Sequence, residues 1–172
     1  MTLSFETFFR QEASYVHRTL LRLGVAARDA EDGVQDVFIA VHRRWEERDR
    51  ALASRPWLFT FAFHHASNYR RLRRHRREPL SEDGSLAVEP IAGNDPERAL
   101  EEAQARSVIL RALDVLPMEQ RGVLVACDID GFSGPEVAEQ LGIPLGTVYS
   151  RLRTARPAFA REVRRLAHER AT

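Results

Sequence analysis

The chain has 172 residues, 44% of them hydrophobic and 30% charged, with a formal net charge of +1, a balance ordinary for one folded domain or two small ones. The single Cys127 excludes an internal disulfide, and with no run of 18 apolar residues and no signal-peptide pattern, a cytoplasmic protein without membrane insertion is expected. Cys127 has no cysteine near it and His64 with His65 lacks the i, i+4 spacing that sets two imidazoles on one helix face, so no metal or other cofactor is expected.

Phe5, Phe8, Phe9, Val16, Leu20 and Leu23 give a first helix its buried stripe, with Gly24 ending it. Asp29 opens a second helix, with Val34, Val37, Phe38, Val41 and Trp45 on one face. Asp32, Gln35, Asp36, Ile39 and Arg43 are left outward. That face is either simply solvated or a docking surface, and an isoleucine among polar groups favours docking. Residues 46–54 read as an exposed loop.

Pro56, at an N1-like position, starts a third helix in which Leu58, Phe61, Ala62, His65, Tyr69 and Leu72 are set to face the core. Trp57, Phe59 and Phe63 lie off that stripe, and the helix runs into RRLRRHRR at Arg70 to Arg77. Residues 42–77 hold eleven arginines against three acids. Aromatic rings beside arginines suit single-stranded nucleic acid, because unpaired bases stack on the rings at about 1 to 3 kcal/mol each while the guanidinium groups track phosphates. The alternative is that each aromatic packs against a neighbouring helix.

Residues 78–94 contain no arginine, two prolines and little periodicity, and read as a flexible acidic linker. Fully extended it would span at most about 55 to 60 Å, between one and two DNA turns of about 34 Å. Asp95 and Pro96 then cap and start a helix carrying Ala99, Ala103, Val108, Leu110, Leu113 and Leu116; Pro117 interrupts, and Gln120 to Asp128 forms the next.

Gly131 to Arg156 spells two short helices with a tight corner, a helix-turn-helix. Ser133 and Glu136 make an S-x-x-E capping box, so a helix should start at Gly134 with Pro135 in its first turn. Val137, Ala138 and Leu141 supply its apolar face, and Gly142 breaks it where positive φ is needed. The following helix carries Leu145, Val148, Leu152, Ala155, Phe159, Val163 and Leu166 as one stripe, with Pro157 expected to kink or divide it. Its other face shows Thr147, Tyr149, Ser150, Arg151, Arg153 and Arg156, hydroxyls and arginines of the kind a helix entering the major groove uses on base edges and phosphates. Residues 146–172 hold seven arginines against two acids. Two basic modules separated by acidic chain suggest two separate contacts with a polyanion.

With these segments in place the chain resembles the bacterial extracytoplasmic-function (ECF) sigma factors, two-domain members of the sigma-70 superfamily. DAEDGVQDVFIAVHRRW at Asp29 to Trp45 is similar to the family's polymerase-docking helix, and RPWLFTFAFHHASNYRRLRR at Arg55 to Arg74 to its promoter-melting and minus-ten helix. Ala112 to Arg156 is similar to the C-terminal module that reads the minus-thirty-five element. Thr60, Phe63, His64 and Asn68 depart from the residues the family commonly has there, Tyr149 stands where lysine is frequent, and Gly134 with Pro135 replaces a more helix-friendly pair.

The resemblance implies an all-α protein of two small helical domains: a region 2-like domain at 1–77, the linker at 78–94 and a region 4-like helix-turn-helix domain at 95–172. It implies a non-enzymatic subunit with no catalytic residues, whose partners are core RNA polymerase, promoter DNA as duplex and single strand, and an anti-sigma factor. Asp32, Gln35, Asp36, Ile39 and Arg43 would bind polymerase. Trp57, Phe59, Phe63, His64, Asn68, Arg70, Arg71 and Arg74 would bind the minus-ten element, and Thr147, Tyr149, Ser150, Arg151, Arg153 and Arg156 the minus-thirty-five element. The competing reading is a free-standing helix-turn-helix repressor or activator, which leaves residues 29–77 without a role.

Overall fold

In the computed structural model, residues 4–45, 55–75 and 96–171 are described, and among them every regular element is helical. The order is α1 (Phe5–Arg22), α2 (Ala27–Arg43), α3 (Arg55–His75), α4 (Pro96–Leu113), α5 (Met118–Leu124), a π-helical turn (Val125–Ile129), α6 (Gly134–Leu141) and α7 (Leu145–Ala171). The expected loop at 46–54 and the expected linker at 78–94 lie outside the described residues.

The first three helices pack pairwise on one another. Ser4 caps α1, its Oγ accepting from the amide of Thr7 at 3.2 Å, which satisfies one of the orphan donors of the first turn. The helix buries Phe8, Tyr15, Val16, Thr19 and Leu20, and the chain leaves it through Gly24 at φ +94°, a conformation that costs a side-chain-bearing residue. Phe9 is 37% exposed, although the spacing puts it in the stripe; it still touches Phe38 edge-on, with ring centroids at 4.8 Å. Phe5 and Phe8 meet Trp45 at 5.2 and 5.0 Å, so an aromatic cluster locks the start of α1 to the end of α2. α2 begins at Ala27 rather than at Asp29. Tyr69 of α3 closes that end, donating to Asp29 Oδ2 at 2.6 Å and accepting from Arg73 Nη1 at 2.8 Å.

In the second half α7 is the spine, packing against α4, α5 and α6. Val148, Leu152, Ala155 and Leu166 are its buried residues, whereas Leu145 is 39% exposed. The helix runs on through Pro157 as one element from Leu145 to Ala171. Between α5 and α6 the backbone widens into the π turn, with the Asp130 amide donating to Val125 O at 2.9 Å. This extra residue per turn sends two neighbouring carboxylates in different directions, Asp128 to Arg156 and Asp130 to α1.

The two groups of helices also pack on each other, chiefly α3 on α6 and α1 on α4, and the buried apolar residues of both form one continuous core. Leu20 is wholly buried in it, beside the point where Gly33 allows α2 to approach: a Cβ on Gly33 would lie 3.0 Å from Leu20 Cδ1. Leu20→Ala is expected to lower unfolding stability by about 2 to 5 kcal/mol, the range for a truncated buried leucine. Urea denaturation at unchanged m-value is the measurement that checks this.

Candidate nucleic-acid interface

The helix-turn-helix forms as its residues demand. The Ser133 amide donates to Glu136 Oε2 at 2.8 Å and the Glu136 amide to Ser133 Oγ at 3.3 Å, a complete capping box at the start of α6. Pro135 sits in the first turn, and Gly142 ends the helix in the left-handed region at φ +65°. The Ile143 amide donates to Ala138 O at 3.0 Å, closing the corner, and the Thr147 amide to Pro144 O at 2.9 Å starts α7. Val137, Val148 and Leu152 bury the contact between the two helices.

The outward face of α7 presents what the sequence places there. Tyr149, Ser150, Arg153 and Arg156 are exposed, and Thr147 and Arg151 are half-buried. Two departures from the family pattern meet in space: the Tyr149 phenol lies over Gly134, where a Cβ would come within 2.9 Å of its hydroxyl. A bulkier residue at the start of α6 would displace the tyrosine. Arg156 is held, its Nε and Nη2 each 2.8 Å from the two carboxylate oxygens of Asp128, the fork geometry guanidinium favours. Ser150 Oγ donates to Thr147 O at 3.0 Å.

The α3 residues divide. His64, Asn68, Arg71 and Arg74 are exposed, and Trp57 and Phe63 are half-buried. Phe59 is only 2% exposed and Arg70 5%. Phe59 therefore belongs to the buried stripe, contrary to the expectation from spacing, and Leu72, expected in the core, is 54% exposed. The cause is a second neighbour: α3 is covered by α1 and α2 on one side and by α5 and α6 on another. Phe59 meets Phe132 edge-on at 6.1 Å, Thr60 Oγ1 donates to Gln140 O at 3.3 Å, and Phe63 lies so close to α5 that a Cβ on Gly122 would be 2.3 Å from its ring. Trp57 packs on Phe61 at 4.9 Å.

On α2, Asp32, Gln35, Asp36, Ile39 and Arg43 are all exposed, Ile39 at 53%. They form one polar face with a single apolar residue in it, opposite the buried Val34, Val37, Phe38 and Val41. His65 reaches this face from α3, its Nδ1 3.9 Å from Asp36 Oδ2. Burial pushes the His65 imidazole below its ordinary value, partly opposed by that carboxylate.

A polar cluster between the two halves escaped the sequence reading. Asp130, its side chain 4% exposed, accepts from Tyr15 Oη at 2.8 Å and from Arg22 Nη1 at 3.0 Å. Burial pushes its carboxyl up, against the lowering effect of the tyrosine hydroxyl and of Arg22, Arg55 and Arg18. Arg121, 1% exposed, donates from Nε to Arg22 O at 2.5 Å and from Nη1 to Asp114 Oδ1 at 2.7 Å. Burial pushes its guanidinium down to about 10. One signal was available: Arg121 stands directly before the apolar run Gly122 to Cys127. Among the described residues no group of three or more histidine, cysteine, aspartate or glutamate side chains could hold a metal ion, and no helix is long and apolar enough to cross a membrane.

Residues 8–78 match the family description "Sigma-70 region 2" and residues 106–157 match "Sigma-70, region 4". The chain is 33% identical over 159 residues to the ECF RNA polymerase sigma factor SigM of Mycobacterium tuberculosis, an alignment covering 92% of this chain and 76% of that protein. It belongs to the ECF RNA polymerase sigma factor family. The sigma factor is also 34% identical to SigE of Mycolicibacterium smegmatis, over 89% of this chain but only 59% of that relative's length. Among solved structures, RpoE of Bartonella quintana, in complex with the anti-sigma factor NepR, superposes with a TM-score of 0.67 at 23% identity, covering 93% of this chain and 96% of that one. CnrH, in complex with the cytosolic domain of CnrY, gives 0.61 at 23% identity, covering 91% and 84%. The all-α fold of this sigma factor is thus shared with both.

Replacing Asp128 by asparagine removes a carboxylate that holds Arg156 and would repel phosphate. This exposed ion pair contributes little to folding, so Asp128→Asn is expected to leave the fold intact, raise duplex affinity and steepen its log–log salt slope by about one phosphate contact. Fluorescence anisotropy with a duplex minus-thirty-five oligonucleotide across a salt series checks it.

Proposed function

We propose how this sigma factor, whose family directs promoter-specific transcription initiation and is non-enzymatic, divides that work among its helices. α7 reads the minus-thirty-five element as duplex, through Thr147, Tyr149 and Ser150 on base edges and Arg151, Arg153 and Arg156 on phosphates. α3 holds the minus-ten element as a single strand, with Trp57, Phe59 and Phe63 offering ring faces to unpaired bases and Arg70, Arg71 and Arg74 following the backbone; His64 and Asn68, exposed on the same helix, supply polar contacts to base edges. Asp32, Gln35, Asp36, Ile39 and Arg43 dock α2 on core RNA polymerase. The functional division is then a region 2-like domain at 1–77, a linker at 78–94 and a region 4-like domain at 95–172. The protein works in the cytoplasm, where polymerase and promoter are, and an anti-sigma factor restrains it, as NepR is bound to RpoE of Bartonella quintana.

The observation that carries this reading is the pair of unlike nucleic-acid faces on one chain. α7 follows a capped corner and bears hydroxyls and arginines with its apolar stripe buried on the other side. α3 instead combines five aromatics, Trp57, Phe59, Phe61, Phe63 and Tyr69, with an arginine-rich end. A groove-reading helix needs polar side chains for base edges and phosphates, and a stacking site needs ring faces beside cationic groups; promoter opening uses both.

Changing Asp32, Gln35, Asp36 and Ile39 together to alanine is expected to abolish association with core polymerase while leaving the circular dichroism spectrum unchanged, because all four side chains are exposed. Co-elution in gel filtration reads the outcome, and an unchanged complex would remove α2 from the docking surface. Arg151→Ala and Arg153→Ala are each expected to weaken duplex binding and to flatten its salt slope by about 0.9, the value for one lost phosphate contact. Thr147→Ala and Ser150→Ala are expected to alter the preferred sequence rather than the slope. Anisotropy titrations on promoter variants separate the two effects.

A further inference from the structure

Resting on the duplex-reading role of α7, we propose that Gly134 is a positioning residue for sequence recognition: carrying no side chain, it lets the Tyr149 ring lie back on the start of α6, and from there the ring reads the C5-methyl of one thymine in the major groove. The three nearest heavy atoms that a Cβ at Gly134 would meet all belong to Tyr149, the hydroxyl at 2.9 Å and Cε1 and Cζ at 3.0 Å. Non-bonded carbon atoms settle at about 3.5 to 4.0 Å, so one partner would have to give way. The far end of a tyrosine moves by rotating about its side-chain bonds, whereas the start of α6 is fixed by the complete capping box of Ser133 and Glu136 and by the buried Val137. A side chain at 134 and this placement of Tyr149 therefore exclude each other.

The backbone makes no demand for glycine there. Among the described residues positive φ is confined to Gly24, Gly131 and Gly142, so alanine can adopt the conformation at 134, and in a helix alanine is the better former. Gly131 and Gly142 are the reverse case: a Cβ on either would meet nothing within 4 Å, and each is required by its φ. What Gly134 provides is room for one ring.

That room gives Tyr149 its task. The residue is 53% exposed, with the buried Val148 before it in α7 and the exposed Ser150 after it, so the ring is in contact with α6 on one side and open on the rest. A freely turning tyrosine loses rotamer freedom when DNA fixes it; one already resting on a helix has lost part of that freedom beforehand, which lowers the cost of binding. The ring brings no charge for a phosphate, but it does bring apolar surface, and the thymine methyl is the apolar group that base edges present in the major groove. Arg151 and Arg153, on the same helix, are left for the backbone.

The test uses the full chain and, as probe, the fluorescein-labelled duplex that this chain enriches from a randomised pool. Each thymine of the duplex is replaced in turn by deoxyuridine, which removes only the C5-methyl. At one position the wild type is expected to lose about fourfold in affinity by anisotropy, equivalent to about 0.8 kcal/mol for one carbon taken out of water. Tyr149→Phe should keep that loss, since the ring makes the contact. Gly134→Ala and Tyr149→Ala should each bind the thymine and deoxyuridine duplexes equally well, and Gly134→Ala should have no further effect in the Tyr149→Ala background. The salt slope of Gly134→Ala should match wild type and its thermal unfolding midpoint should not fall, because the change touches neither an arginine nor the cap.

Indifference of the wild type to every deoxyuridine, a Gly134→Ala variant that still discriminates, loss of discrimination in Tyr149→Phe, or an equal effect of Gly134→Ala without the Tyr149 ring would each overturn the assignment. So would a lowered unfolding midpoint in Gly134→Ala, which would make the glycine a requirement of the fold. Arg151→Ala and Arg153→Ala on the same probe separate this from the underlying reading. If they flatten the salt slope while the thymine arm fails, only the role of Gly134 is lost; if they leave the slope unchanged, or the pool yields no preferred duplex, α7 is not the duplex reader.

Discussion

A guanidinium that is almost wholly withdrawn from water must be given acceptors by whatever it meets, and the packing of this molecule is arranged around that requirement at Arg121. Its Nε is satisfied by the Arg22 carbonyl and its Nη1 by Asp114. The first acceptor belongs to the end of α1, so α5 has to lie across the α1–α2 corner. Gly24 must then lack a side chain for two reasons, its positive φ and the two arginines beside it. With Arg22 held by its backbone, its side chain is directed to Asp130, which also takes the Tyr15 hydroxyl. One buried charge thus sets the relation between the N-terminal helices and the helix-turn-helix half.

The outward faces of α7 and α3 differ in how that relation treats them. The polar face of α7 points away from the shared core, so its residues are exposed apart from the half-buried Thr147 and Arg151. The face of α3 is shared with the partner half, so its rings and Arg70 are drawn into packing. The π turn separates the two: within three residues it offers one carboxylate to α7 and another to α1.

Much of this was legible in the chain itself. Residues 131–142 determine their own conformation, because a capping box, a proline in the first turn and a glycine at the left-handed end act within one or two turns. Helical periodicity likewise marks α1, α2 and α7, and the outward face of α2 was assigned correctly to the surface, since each of these helices has one dominant buried side. Periodicity fails on α3 because that helix has two buried sides. A stripe drawn for one neighbour leaves Phe59 outside and includes Leu72, and the structure reverses both. Arg70 and Arg73, read as part of a basic run, are buried, with Arg73 bonded to Tyr69.

What the sequence by itself determined is every feature governed by neighbours a few residues away: the helices, their caps, the corner of the helix-turn-helix and the family to which the chain belongs. What only the tertiary structure decided is the set of partners far apart in the chain. Tyr15 and Asp130 are 115 residues apart and Arg22 and Arg121 are 99, and no local spacing rule connects such pairs. Their meeting follows from the desolvation of Arg121 and Asp130, which must find acceptors and donors wherever the packed core brings them.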